Sequence, residues 1–104
     1  KGEFTESLNH NMDQMFAIID QALQQMNVIL HKPEVVPDDV NVSYNVENEI
    51  NNYRNQLKIK NMEDVNNKAY DYQVGVYYMD MVAECEKLGD YVLNVVQAVI
   101  EKKI

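Results

Sequence analysis

The sequence has few of the residues that break helices or cross-link a chain. Of its 104 residues, three are glycine, two are proline and one is cysteine. So little glycine and proline argues against an all-β fold with many turns and against low-complexity disorder. The single cysteine, Cys85, excludes a disulfide within the chain and every metal site of the Cys-x-x-Cys type. No apolar run is long enough to span a bilayer, so we expect no direct insertion into a membrane.

Basic residues are also scarce. Nine Lys and Arg stand against 17 Asp and Glu, which gives a net charge of −8. Such an acidic surface repels the phosphates of nucleic acids and anionic lipids, so we expect neither as the main ligand. It attracts cations, although high solubility is the simplest consequence of the charge.

The length is that of one domain, and apolar spacing divides it into helices. In the first segment apolar residues repeat at alternating intervals of four and three, which is the seam of a helix packed against other helices. Thr5 is the expected N-cap, and Pro33 ends the helix because the residue before a proline disfavours α geometry. The seam consists of Leu8, Met12, Met15, Ile19, Ala22, Met26 and Ile29, with Phe16, Leu23 and Leu30 beside it.

A second helix is expected to start at Asp38 and Asp39, which supply a cap and negative charge at the positive end of the helix dipole. A stretch of weak helix formers at 66–68 and the cap candidate Asp71 divide it from a third helix. The buried face of the second helix is predicted to consist of Val42, Val46, Ile50, Tyr53 and Leu57, extended by Met62 and Val65. Within the domain 1–104, the predicted helices cover about 5–32, 38–66 and 71–102.

The third segment has two apolar stripes side by side, and a helix with two such stripes contacts two partners. Matched lengths and short connections then predict an all-α fold, an antiparallel up-down-up three-helix bundle arranged like a spectrin repeat. The first stripe, predicted to be the seam, consists of Val74, Tyr78, Met81, Cys85, Leu88, Val92, Val95 and Val99. The second consists of Gly75, Met79, Val82, Glu86, Gly89, Leu93, Val96 and Ile100.

Glu86 is the one charged residue of the second stripe. Asp90 and Asn94 follow it one and two turns later on the same face. Gly89 leaves room there for close approach of a backbone or a ligand. Three side chains with oxygen atoms are therefore expected in a row beside the core.

Glu47 and Asn51 on the second helix are also one turn apart, at about the level of the acidic row. Oxygen ligands suit Mg²⁺, Ca²⁺, Mn²⁺ or oxidised iron. The sequence therefore offers a candidate site for a divalent or ferric cation at Glu47, Asn51, Glu86, Asp90 and Asn94. In the alternative, Glu86 pairs with Arg54 or a lysine, and Asp90 and Asn94 are solvated.

Catalytic signals are missing. The sequence has no nucleophile–base pair, no glycine-rich phosphate loop and no Glu-x-x-His pair, so we expect no enzymatic activity.

Two segments resemble PhoU domains. Residues 80–96, with Glu86-Lys87-Leu88-Gly89-Asp90 at their centre, resemble the signature that commonly reads Asp/Glu-Leu-Glu-Arg-Ile-Gly-Asp-His-Ala-x-Asn-Ile-Ala. Residues 46–57 are similar to the second helix of the PhoU-like domain in sodium/phosphate cotransporters. The resemblance implies a three-helix bundle that acts in phosphate signalling and binds metal through Glu-x-x-x-Asp pairs. Glu86 and Asp90 match that pair, Asn94 matches the Asn that follows it, and Glu47 matches the Glu of the second helix.

The sequence departs from the PhoU pattern in three ways. Asn51 stands where many PhoU sequences have Asp, Lys87 and Tyr91 replace the usual Arg and His, and only one three-helix repeat is present. These departures imply a single weak cation site, or an empty one, rather than a multinuclear cluster.

The resemblance also implies a role and a place. It implies a regulatory domain of a sodium-dependent phosphate cotransporter, on the cytoplasmic side of the inner (plasma) membrane. The expected partner is the transmembrane segment of the same parent chain, with a homodimer as a further expectation. Because the chain begins at Lys1 without Met, we expect it to be a piece of a longer protein. The alternative is a structural helical module for interaction or dimerisation without metal.

Overall fold

A computed structural model of the chain describes residues 4–103, with the backbone alone at position 103. The ends of the predicted domain, residues 1–3 and 104, lie outside the described residues. The described part consists of three helices and contains no strand: α1 (Glu6–His31), α2 (Pro37–Asn66) and α3 (Tyr72–Lys103). The predicted all-α three-helix bundle is confirmed, and every helix boundary lies within one residue of its predicted position.

Contacts along the bundle follow the order that antiparallel neighbours give. Tyr44, early in α2, accepts a hydrogen bond from Gln97, late in α3. Arg54 then meets Glu86 further along α2 and further back along α3. This order is compatible with the predicted up-down-up path. The resulting rod is 52 Å long and 19 by 16 Å across.

The local structure of α1 is the one that its sequence predicts. The Thr5 hydroxyl accepts a hydrogen bond from the Leu8 N–H at 3.1 Å, which is an N-cap. Six of the seven predicted seam residues are buried, and Met26 is partly buried. Phe16 and Leu30, expected beside the seam, are exposed instead.

The buried face of α2 is narrower than predicted. Val46, Ile50 and Leu57 are buried, and Tyr53 is partly buried. Val42 and Met62, however, are exposed. The prediction was wrong at these two positions, because apolar residues also occur on the outer faces of the helices.

The start of α2 is fixed by Asp39. The helix begins at Pro37, one residue before the predicted start, because proline is suited to the first helical position. The Asp39 carboxylate accepts a hydrogen bond from the Val36 N–H at 2.9 Å and pairs with the Lys32 ammonium at 2.6 Å. The bond from Lys32, followed by the bond from Val36, lowers the pKa of Asp39 from 3.8. This one carboxylate therefore links the end of α1 to the first turn of α2.

The seam of α3 runs between the two predicted stripes and takes residues from both. Its buried members are Val74, Gly75, Tyr78, Val82, Cys85, Gly89, Val92 and Val96. Met81 and Leu88, predicted to lie in the core, are 39% and 46% exposed, so that part of the prediction is wrong. The first stripe was predicted to be the seam because all its residues are apolar or aromatic. The observed seam includes Gly75 and Gly89, which add no hydrophobic side chain to the sequence pattern although α2 packs on them.

A Schellman motif ends α2. The Lys68 N–H donates to the Val65 carbonyl at 3.0 Å, and the Ala69 N–H donates to the Asp64 carbonyl at 2.8 Å. Lys68 has a φ of 61°, in the left-handed region. A residue with a side chain adopts that conformation at a cost of about 1 kcal/mol, whereas glycine adopts it freely.

We therefore expect Lys68→Gly to raise the free energy of unfolding by about 1 kcal/mol, measured by urea denaturation. Asn67→Gly is the matched control, since Asn67 has a φ of −86° and gains nothing from glycine. Equal stability of the two variants would contradict the assignment of strain to Lys68.

A second prediction concerns pH. The folded-state pKa of Asp39 lies below 3.8. Its stabilisation is therefore present above the unfolded value and is lost as the pH falls through the lower, folded one. We expect Asp39→Asn to melt below the wild type at neutral pH and the two melting temperatures to converge in acid. Asp38→Asn, in the same first turn but exposed, should show a smaller difference. A difference in melting temperature between Asp39→Asn and the wild type that persists in acid would contradict the pairing of Asp39 with Lys32.

Candidate functional site

Two of the predicted cation ligands, Glu47 and Glu86, border the junction between α2 and α3. We call the strip of residues along this line the α2–α3 junction. Its α2 side is formed by Glu47, Arg54, Asn61 and Val65, and its α3 side by Val76, Met79, Glu86 and Leu93.

Gly89 marks the point where a side chain of α2 reaches the α3 backbone. A Cβ atom at this position would stand 2.8 Å from Cδ1 of Ile50. The space that the sequence predicted for a backbone or a ligand is therefore filled by a core side chain. The cavity that remains beside Gly89, lined in part by Glu47 and Leu93, measures about 10 Å³, which is room for one water molecule at most.

Glu86 turns toward α2, where its partner is Arg54. Nη2 of Arg54 lies 3.0 Å from Oε2 of Glu86, and the two side chains are 29% and 25% exposed. The Nε of Arg54 is buried without a hydrogen-bond partner. Of the two arrangements that the sequence left open, this is the ion pair, and it neutralises the carboxylate at the centre of the cation site.

The other predicted ligands do not converge on Glu86. Nδ2 of Asn51 donates to Oε2 of Glu47 at 2.7 Å, which joins these two residues to each other. Asp90 and Asn94 are exposed. Within residues 4–103, no three His, Cys, Asp or Glu side chains are grouped so that they could hold a metal ion. The cation site therefore stays a prediction.

The only cysteine does not offer a reactive nucleophile. Cys85 is buried, and this burial, followed by the nearby charge of Glu84, raises the pKa of its thiol above 9.0. A thiol in such surroundings stays protonated and inert.

A groove that the sequence did not predict opens at the end of the junction nearest the α2–α3 loop. It encloses about 420 Å³. The side chains that line it are mostly apolar, from Met62, Val65, Tyr72, Val76 and Met79, with Asn61, Asn66 and Asp80 as the polar members. Gly75 also lines it, and a Cβ there would stand 2.9 Å from Cγ2 of Val65. The signal in the sequence was the spacing of Gly75 and Gly89, 14 residues apart on one helix face.

Tyr70 fixes one wall of the groove. Its hydroxyl donates to Oδ1 of Asn61 at 2.6 Å. Burial, followed by the charges of Asp64 and Tyr78, raises the pKa of Tyr70 to about 12. The phenol therefore remains a donor at every physiological pH and holds the Asn61 amide in one orientation.

Comparison with known proteins adds no family assignment. No protein-family model, curated protein or solved structure matches the chain. In the part of the chain that the structure describes, none of the helices combines the length and the hydrophobicity that a membrane span needs.

The Arg54–Glu86 pair gives a testable expectation. We expect Glu86→Gln and Arg54→Gln each to lower the free energy of unfolding by about 1 kcal/mol, because each leaves a half-buried charge without its partner. The double variant should lose less than the sum of the two, as coupled residues do. Glu84→Gln, which breaks the exposed Lys87–Glu84 pair on the same helix, is the control and should change stability by less than about 0.5 kcal/mol. Additive single effects would contradict the coupling.

Thermal melting of the wild type, with and without Mg²⁺ or Mn²⁺, tests the cation site. A cation that binds only the folded state stabilises it by an amount that grows with the logarithm of the cation concentration above the Kd. Because Arg54 already neutralises Glu86, we expect neither ion to raise the wild-type melting temperature. A rise that Glu86→Gln/Asp90→Asn abolishes would establish the site instead.

Proposed function

We propose that the chain is a PhoU-like regulatory domain of a sodium-dependent phosphate cotransporter, and that it acts by docking rather than by catalysis. One observation carries the proposal. The two segments that resemble PhoU, separated in sequence, face each other across the α2–α3 junction through the 3.0 Å contact of Arg54 with Glu86. The two segments that carry the resemblance are therefore neighbours in the folded chain.

Docking is favoured because two pairs of polar side chains on this surface are already engaged with each other. Glu86 pairs with Arg54 across the helices, and Glu47 accepts from Asn51 along α2. Such pairs hold the side chains in fixed positions before a partner binds. Little conformational entropy is then lost on binding, which suits recognition of a partner. On this proposal the partner is the transmembrane part of the same parent chain, and the domain lies on the cytoplasmic side of the membrane.

The test is sodium-dependent uptake of labelled phosphate by cells that express the parent chain, with and without residues 1–104. We expect the deletion to change the rate of uptake, or its response to external phosphate, while the transporter remains in the membrane. Glu47→Gln/Glu86→Gln should reproduce part of this change. The matched control, Glu49→Gln/Glu84→Gln, alters exposed acids on the same two helices and should not.

Two outcomes would contradict the proposal. One is a parent chain without sodium-dependent phosphate uptake, and the other is uptake that the deletion leaves unchanged. Immunoblots of the membrane fraction exclude loss of the transporter itself as the cause of a change.

A dimerisation module is the second candidate, and one observation favours it. Four large apolar residues of α3 are 39–58% exposed: Tyr77, Met81, Leu88 and Tyr91. Apolar surface of this kind is often buried by a second subunit. A mass of two chains by light scattering, together with uptake that does not depend on the domain, would favour this candidate.

A further inference from the structure

The groove at the loop end of the α2–α3 junction has the size and the lining of a binding site. Its volume of about 420 Å³ falls in the range of pockets that accept ligands. Met62 and Tyr72 at its rim are 58% and 73% exposed, a large apolar area left in water. Methionine side chains adapt to the shape of a partner. An apolar group is therefore the part of a partner that the groove accepts.

The charge of the groove indicates which residues flank that apolar group in the partner. Asp80 is its one charged lining residue, and no Lys or Arg lines it. The chain as a whole carries a net charge of −8, which draws in cationic segments and repels acidic ones. Two copies of this chain would repel each other, so a basic segment suits the groove better than a second copy does.

We infer that the groove binds an apolar side chain from a Lys- or Arg-rich cytoplasmic loop of the transmembrane part of the parent chain. The inference rests on the proposed function, because cytoplasmic loops of membrane proteins carry an excess of Lys and Arg. The apolar side chain enters between Met62 and Met79, and a flanking basic residue pairs with Asp80. The groove is thus the place where the acidic domain attaches to the basic face of the transporter.

The experiment uses synthetic peptides that copy each cytoplasmic loop of the parent chain. Binding to the 104-residue chain is measured by fluorescence anisotropy at low and high salt, and the site is located from the methyl NMR signals of Met62 and Met79. We expect one loop peptide to bind, to shift both methyl signals and to bind less tightly as salt screens the charges.

Variants of exposed rim residues test the site without disturbing the core. Met62→Ala/Tyr72→Ala should weaken binding about tenfold or more, as loss of apolar anchors does. Asp80→Asn should weaken it about threefold and reduce its salt dependence. The controls are Leu88→Ala/Tyr91→Ala, which removes exposed apolar groups elsewhere on α3, and Asp13→Asn, which removes an exposed acid from α1. Both controls should bind like the wild type.

Three results would overturn the inference: no loop peptide binds, the rim variants bind as tightly as the controls, or sedimentation shows that the rim variants abolish self-association. The last result would mean that a second copy of the chain binds in the groove. If phosphate uptake depends on the domain but any of these three results is found, the inference about the groove is wrong and the proposed function stands. A parent chain without membrane spans removes the proposed function as well.

Discussion

Close packing of α2 on two glycines of α3 is the constraint on which the rest of the structure depends. A Cβ atom at Gly75 would stand 2.9 Å from a Val65 methyl, and one at Gly89 would stand 2.8 Å from an Ile50 methyl. Each glycine costs a helix interior about 1 kcal/mol relative to alanine. The benefit is that side chains of α2 reach the α3 backbone about four turns apart. The spacing between the two helices is thereby fixed, and Arg54 and Glu86 lie within reach of each other.

Much of the fold follows from local rules that the sequence displays. The alternation of fours and threes predicted α1 and its core, and a threonine cap and a proline marked its ends. The rotation of α3 did not follow, because hydrophobicity favoured the first stripe, in which every residue is apolar or aromatic. The seam runs through Gly75 and Gly89, which contribute packing without hydrophobic side chains. Met81 and Leu88 were therefore assigned to the core although their side chains are exposed.

The candidate site was predictable in composition but not in its pairing. The spacing placed Glu47 and Asn51 at about the level of Glu86 and Asp90, and Glu47 does line one small cavity together with Gly89. Spacing could not decide whether Glu86 would meet the Glu47 carboxylate or Arg54, because both lie on the same face of α2, about two turns apart. The groove was missed for another reason. It depends on the separation of two helices at their loop end, which Gly75 and Val65 determine together.

The Arg54–Glu86 ion pair bears on whether the acidic motif at Glu86 and Asp90 binds a cation or pairs with a residue of the same chain. A guanidinium carried on the neighbouring helix is always present beside Glu86, whereas a free cation must displace it and lose part of its own hydration shell. Displacement becomes favourable when several carboxylates converge on one point. Here Glu47 is bonded to Asn51 and Asp90 is exposed. Arg54 thus pairs with the central carboxylate of the predicted cation site, and this pair joins the two motif segments across the helices. An acidic surface whose central charge is neutralised internally still attracts cations through its remaining carboxylates, and the proposed docking on a basic loop relies on this attraction.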